Sequence, residues 1–294
     1  KSQWMRPIVA NESMILAGSI IYAGGEEAVY ALDASVIDLT LSLFPWAKFR
    51  KTKGAIKLHA MIDLRGNIPT FLTITDGKMH DVKAAPQVPI EADGIYVVDR
   101  GYVDFSWLWS IHQTGAFFVT RLKTSTKWIR VVFHPVDKSL GLRSDQEILV
   151  ASTRLKKLYP ERLRKISFRD EIQSRTLVFI TNNFTLPAAT IAALFKARWE
   201  IELFFKWIKQ NLRVKTFYRT SPNAAKTQIW IAISAYVLVA IMKKRLKIDL
   251  TLYTLLQILS ISIFEMKLIY QVLTESDYKS KTTSSHIQLK LFES

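Results

Sequence analysis

Residues 94–99 read GIYVVD, four apolar side chains in a row between a glycine and an aspartate. Both faces of such a stretch are apolar, and a strand of that kind belongs in the middle of a sheet. Working outward, Asp104 stands as an N-cap before a helix over about 105–113, and AFFVTR at 116–121 reads as the next strand. On the N-terminal side, AVYALDA at 28–34 alternates weakly and is β-compatible. AIKLHAMID at 55–63 and IPTFLTIT at 68–75 flank Leu64-Arg65-Gly66-Asn67, a Gly-Asn turn between two β-like runs and hence a hairpin. Three strands, a short connection, a strand, a helix and a strand make an α/β chain with a mixed sheet flanked by helices.

Beyond this block the texture changes. Residues 121–175 carry 14 Lys and Arg against 6 Asp and Glu, a net of +8, or half of the formal +16 of the 294-residue chain. The apolar pieces there are short and β-like: WIRVVF, EILVAS, RKISF and TLVFIT. From Leu186-Pro187 the sequence turns helical, with helices expected at about 187–212, 222–246 and 251–273. The resulting division is a 1–27 remnant of an N-terminal region, a first part of the core at 28–123 and a basic β-rich insertion at 124–185. The rest of the core with C-terminal helices covers 186–273, and a loose tail covers 274–294. Gln228–Met242 and Leu250–Phe264 are uncharged runs of 15 residues. A membrane span wants about 20, so these read as buried helices rather than membrane segments.

A net charge of +16 and a pI near 9.9 favour a polyanionic partner, nucleic acid first. The absence of Cys excludes disulfides and Cys-ligated zinc and suits a reducing, intracellular setting. The opening KSQWMRP does not start with Met and has no apolar signal segment, which reads as a truncated chain without a secretory leader.

The helix FKARWEIELFFKWIKQNL at 195–212 concentrates the chemistry. At 100° per residue, Arg198, Lys206, Lys209 and Arg213 share a stripe with Glu202, while Glu200 points elsewhere. An Arg198–Glu202 pair on a solvated face is the plain reading. Yet four cations around one carboxylate exceed what pairing needs and suit phosphates. A carboxylate among phosphate-binding cations makes sense if it holds a metal ion that also touches phosphate, and that ion needs further carboxylates. Asp99, closing the buried strand, and Asp33, in or at the end of the first strand, are the best placed, although each could be a local turn or strand-end aspartate. Asp38 is weaker, Asp63 and Asp76 suit turns, and His80-Asp81 suits a helix cap. If the first and fourth strands are neighbours, Asp33, Asp99 and Glu202 can hold two divalent ions about 3.5–4 Å apart for phosphodiester chemistry.

These residues resemble the DDE transposases of the IS4 insertion-sequence family, whose hallmark is Tyr, two residues, Arg, three residues, Glu, six residues, Lys. Here Phe195, Arg198, Glu202 and Lys209 hold that spacing, with Phe in place of Tyr. The contexts LDASVIDLTLSLFPWAKFRKTKGAIKLH at 32–59, YVVDRGYVDF at 96–105 and FITNNFTLP at 179–187 are similar as well, so the likeness runs from residue 28 to about 270. The resemblance implies an RNase H-like fold with a β-rich insertion before the Glu-bearing helix. It implies Asp33, Asp99 and Glu202 as catalytic metal ligands, and Arg198 and Lys209 as contacts to DNA phosphates. It further implies Mg2+, with Mn2+ as substitute, at two ions per site, and cleavage at element ends followed by 3′-OH strand transfer through a hairpin intermediate. Double-stranded DNA, a homodimer on that DNA, no membrane, and a bacterial cytoplasmic, nucleoid-associated setting go with it.

Further DNA contacts are expected from Lys206, Phe195, Arg213 and Arg100, and from Lys48, Arg50, Lys51 and Lys53 after Pro45-Trp46. Trp128 is either a core residue or a base-stacking one, and Lys57 and His59 alternate on a strand that could face the site, His59 as a structural residue. Two alternatives stay open: a plain RNase H-like DNA nuclease, and a transposase-derived DNA-binding protein that no longer cuts.

Overall fold

The computed structural model describes residues 28–122, 126–170, 174–211, 220–250 and 252–262. Among them, β1 (Val29–Leu39), β2 (Gly54–Asp63), β3 (Ile68–Asp76), β4 (Ile95–Val98), β5 (Phe117–Arg121), β6 (Trp128–His134), β7 (Leu142–Val150), β8 (Leu163–Asp170) and β9 (Arg175–Thr181) form one sheet. Its order is β3-β2-β1-β4-β5-β9-β8-β7-β6. β4 runs parallel to both β1 and β5, and all other pairings are antiparallel. The GIYVVD stretch therefore lies inside the sheet, with all four residues of β4 buried. The four basic-region strands continue the same sheet through β9, which pairs with β5. The first strand extends past its expected end at residue 34, because Ser35–Leu39 keep pairing with β2 after β4 has stopped.

Alternation sorts the side chains into two layers. Tyr30 and Leu32 of β1, Tyr96 and Val98 of β4 and Phe118 of β5 join one core cluster with Phe105, Leu108 and Ile111 of the helix α2 (Phe105–Gln113). Asp104 caps α2, its carboxylate accepting the Ser106 and Trp107 backbone N–H groups. Asp104→Ala is expected to lower stability by about 1 kcal/mol in urea unfolding, and an unchanged midpoint would show that the cap contributes nothing. The opposite face of the sheet carries α4 (Ala188–Ala197) against β5, β7 and β8, and α5 (Trp199–Asn211) against β1 and β2.

The expected single helix over 187–212 is two helices, with the break at Arg198. Two successive three-residue hydrogen bonds, Arg198 N–H to Phe195 O and Ile201 N–H to Arg198 O, tighten the turn there. Short helices α1 (Asp81–Ala84) and α3 (Thr153–Leu158) complete the set before α6 (Pro222–Leu246) and α7 (Leu252–Ser262). The chain separates into two compact units, Lys1–Ser234 and Ala235–Ser294. The expectation that the apolar run in α6 is buried needs correction: Trp230, Ile231, Leu238, Ile241 and Leu246 are exposed. Only the stripe Ala225, Ile229, Ile233, Tyr236 and Ala240 is covered, because one face of a helix is all that a single contact layer can bury. Among the described residues α6 is long and apolar enough to cross a membrane by length and composition alone. The remnant at 1–27 and the tail at 274–294 lie outside the described residues, as do 263–273 of the last expected helix.

Candidate active site

Leu32 and Val98 are the last paired residues of the β1–β4 ladder. Asp33 and Asp99 each follow one residue later, so they lie side by side on neighbouring strands, about 4.8 Å apart in the sheet direction. The Asp99 N–H still reaches the Leu32 carbonyl at 3.4 Å. Thr120 of β5 pairs with Val98, which puts Arg121 next along the same row. Asp33, Asp99 and Arg121 are each one residue beyond side chains packed on the α2 face, so all three point to the face that carries α4 and α5. β4 ends at this point because Asp99 caps a 3-10 turn, Arg100–Tyr102, its carboxylate accepting the Gly101 N–H at 3.2 Å.

The turn between α4 and α5 brings in the third carboxylate. Arg198 Nη1 donates to Asp33 Oδ2, and Arg198 Nη2 donates to Glu202 Oε1 at 2.6 Å. One guanidinium thus spans a strand aspartate and a helix glutamate separated by 169 positions. Arg121 Nη2 approaches Asp99 Oδ1 at 3.5 Å. Both guanidiniums rest on the ring of Phe195, at 5.5 Å for Arg121 and 5.6 Å for Arg198. Phe195 in turn packs on Phe179 of β9, the register partner of Arg121, at 4.9 Å between rings. Arg198 is mostly buried, whereas the Glu202 side chain is 49% exposed, so the site opens on the α5 side.

Burial pushes the Asp33 carboxyl up to about 6, against the pull of Arg198, and the neighbouring Asp99 and Glu202 charges push the same way. Burial acts on Asp99 too, but the Gly101 N–H, Arg198, the Arg100 N–H and Arg121 outweigh it and hold the carboxyl below its ordinary value. Asp33 thus feels the charges of both Asp99 and Glu202, which places the three acids in one electrostatic neighbourhood. Among the described residues, no three His, Asp or Glu side chains converge closely enough to hold a metal ion as they stand. The donor chemistry does fit a hard divalent cation: oxygen ligands only, on two strands and a helix, with a raised charge cost at Asp33. Arg198 pairs with both Asp33 and Glu202, two of the carboxylates that would hold such a cation.

A layer behind the site fixes the Asp99 turn. The buried His59 ring meets the Tyr102 hydroxyl through Nδ1 at 2.8 Å and the Thr75 hydroxyl through Nε2 at 3.1 Å. Burial lowers the His59 pKa to about 4, so the ring is neutral. Asp81, expected as a helix cap, lies instead in the first turn of α1, where Lys57 captures its carboxylate at 3.1 Å. Its other oxygen lies 2.7 Å from where a Cβ on Gly101 would stand, so a side chain at 101 would have to displace the Asp81 carboxylate. Glu200, off the cationic stripe as expected, accepts from Asn67 Nδ2 at 2.8 Å and ties the β2–β3 turn to α5. Asp63 and Asp76 serve their turns by accepting the Arg65 and Lys78 N–H groups.

The remaining expected contact residues divide sharply. Lys206 and Lys209 are exposed along the Glu202 stripe of α5, and Arg100 is exposed beside Asp99. Arg213 lies outside the described residues. Lys48, Arg50, Lys51 and Lys53 are all exposed, on a tight loop closed by Lys53 O. That loop follows the far end of β1, whose last residue is about 20 Å along the strand from Asp33. Phe195, expected to touch DNA, is only 6% exposed, because its ring is covered by Phe179 and the two arginines. Trp128 is half-buried and packs against Phe105, so it serves the core. Arg121 went unnoticed in the sequence; its one signal is a cation closing the buried strand AFFVTR.

The chain is similar to known transposases. The model of the transposase DDE domain matches residues 24–238. A chain described as transposase y4zB of Sinorhizobium fredii is 31% identical over 247 residues, covering 83% of this chain and 68% of that one. The transposase of insertion sequence element IS5377 of Geobacillus stearothermophilus is 30% identical over 213 residues, covering 70% and 54%. One for insertion sequence element IS4SA of Synechocystis is 23% identical over 237 residues, covering 74% and 61%. The chain thus spans between about half and two thirds of the length of these relatives.

Proposed function

Since the chain belongs to the DDE transposase family, we propose that it is the catalytic region of an IS4-type insertion-sequence transposase built on an RNase H-like core. It cuts the ends of the element and joins the freed 3′-OH to target DNA. The observation that carries this reading is the gathering of Asp33, Asp99 and Glu202 at one end of β4, with cations on the open side.

Asp33, Asp99 and Glu202 are the residues that would hold Mg2+ or Mn2+, at two ions per site. Bound there, the metal supplies Lewis acidity to the attacking and leaving oxygens at phosphorus. Every step exchanges one oxygen for another at phosphorus, which is why a single site can serve all of them. Water adds as the 3′ oxygen leaves, giving a 3′-OH. That hydroxyl attacks the opposite strand to close a hairpin, water reopens it, and the 3′-OH then attacks target DNA. The hairpin step rests on likeness to the IS4 family.

The protein's own part is to bind, orient and neutralise. Lys206 and Lys209 extend the open side of the site along α5, where they suit backbone phosphates and fix register without reading sequence. Arg100 suits a phosphate next to Asp99. The loop carrying Lys48, Arg50, Lys51 and Lys53 suits a more distant stretch of the same duplex, one helical turn being about 34 Å. Work on chromosomal DNA in the bacterial cytoplasm, as a homodimer holding two ends, completes the reading.

The test is cleavage of a labelled element end in Mg2+ by the wild type and by Glu202→Ala. The wild type is expected to nick the end and to yield joined products when target DNA is added. Glu202→Ala is expected to fall to the level seen without metal. Equal cutting by both would overturn the site, and nicking without joining would leave a nuclease.

A further inference from the structure

The acidic site is accompanied by two arginines that behave as a unit. Arg198 pairs with Asp33 and Glu202, and Arg121 pairs with Asp99. The same aromatic ring, Phe195, lies under both. The two Nε groups are buried and have no hydrogen-bond partner among the described residues. Arg121 is therefore held by a ring face and one carboxylate, and Arg198 by the same ring and two carboxylates, with, among the described residues, no backbone carbonyls of the kind that pin Arg164 elsewhere in the sheet. The ring attracts each cation over its whole face, so a guanidinium that exchanges its carboxylate partner for a phosphate can keep the ring contact.

We infer that Phe195 and Arg121 are positioning residues: the ring keeps Arg121 and Arg198 in the acidic site as stand-in cations until DNA phosphates draw them off and metal ions take their place. This inference rests on the metal-binding reading above. The two arginines answer the three carboxylates through the ion pairs Arg198–Asp33, Arg198–Glu202 and Arg121–Asp99. A divalent ion between Asp33 and Glu202 cannot share the place with a guanidinium, so metal and Arg198 compete. A phosphate on the open side gives Arg198 a bidentate partner of equal quality. Arriving DNA thereby lowers the cost of metal entry, and by linkage metal raises affinity for DNA by the same factor.

The experiment is Mn2+ binding followed by electron paramagnetic resonance, on the full chain, with and without a short duplex of arbitrary sequence. Without DNA, Arg198→Gln is expected to bind Mn2+ about tenfold or more tighter than the wild type, within the usual range of coupling between sites. With the duplex, wild-type affinity is expected to rise by a similar factor, and the gap between the two proteins to close. The wild-type comparison needs no variant, so a folding defect in Arg198→Gln does not decide the matter. Phe195→Leu, which keeps an apolar filler and removes the π face, is expected to bind Mn2+ more tightly without DNA and to gain less from it. Equal Mn2+ affinity in wild type and Arg198→Gln, unaffected by DNA, would sink the stand-in role while leaving the metal site intact. Failure of the wild type to bind Mn2+ even with DNA would remove the metal site itself.

Discussion

Asp145→Ala is expected to lower the unfolding free energy by about 3–5 kcal/mol. Asp145 on β7 and Arg164 on β8 are 6% and 9% exposed at the side chain. They meet through two parallel hydrogen bonds, Nε to Oδ1 at 2.9 Å and Nη2 to Oδ2 at 2.6 Å. The remaining Arg164 Nη1 donates to Leu186 O at 2.5 Å and Asn183 O at 3.4 Å. A truncation of Asp145 leaves a guanidinium in the interior with carbonyls but no counter-charge, and that desolvation is what the native state loses. The loop 183–187 that Arg164 holds leads directly into α4, whose far end is Arg198. The effect thus reaches the active site from strands of the basic region. Urea unfolding measures it. The control is Asp145→Leu with Arg164→Met, which removes both charges and should lose far less. A loss under about 1 kcal/mol for Asp145→Ala alone would mean that water or another carboxylate reaches Arg164.

The strands were readable because their periodicity is set by burial. IYVV is apolar on both faces and proved central, and Leu64–Asn67 gave the hairpin because Asn67 tolerates the positive φ of 53° that the turn imposes. Asp33 and Asp99 were legible for the same reason: a charge at the end of a buried strand has to be answered. What answers it was not legible. Arg121 and Phe195 are 74 positions apart, and their meeting depends on β9 returning beside β5, a long-range pairing that no local pattern encodes. The break at Arg198 was equally hidden, since FKARWEIE contains no Gly or Pro and has good helix formers throughout. The turn tightens where one side chain is claimed by both Asp33 and Glu202. Asp81 was misread because its partner, Lys57, comes from a strand 24 residues earlier.

Asp33→Asn is expected to abolish cleavage and, in the same protein, to stabilise the fold at neutral pH. Asp33 ionises at about 6 in the folded chain against 3.8 ordinarily. An acid whose folded pKa is raised binds more protons in the native state, so native stability falls as pH rises through the window from about 4 to 6. Two units correspond to about 3 kcal/mol, lost in full above pH 6. Asparagine keeps the shape without the charge, so the variant gains about that much over the wild type at pH 7, and nothing at pH 3.5. His59 acts in the opposite sense over nearly the same window. Its folded pKa is lowered from 6.5 to about 4, so the native state binds fewer protons than the unfolded chain, and stability falls as pH drops from 6.5 to 4. In the wild type the two slopes oppose each other. In Asp33→Asn the His59 slope remains, joined in the same sense by that of His112, whose pKa burial also lowers, and unfolding free energy should fall by about 3 kcal/mol or more between pH 6.5 and 4. A difference between the two proteins that is constant across pH 4–7 would mean that Asp33 does not titrate there, and that its charge is already answered by Arg198. Saturating Mg2+ supplies the functional half of the comparison: a ligand of the native state stabilises whatever binds it. Added Mg2+ should raise the wild-type midpoint when DNA is present and leave Asp33→Asn unmoved, since the carboxylate whose charge costs the fold stability is one of those we propose to hold the metal.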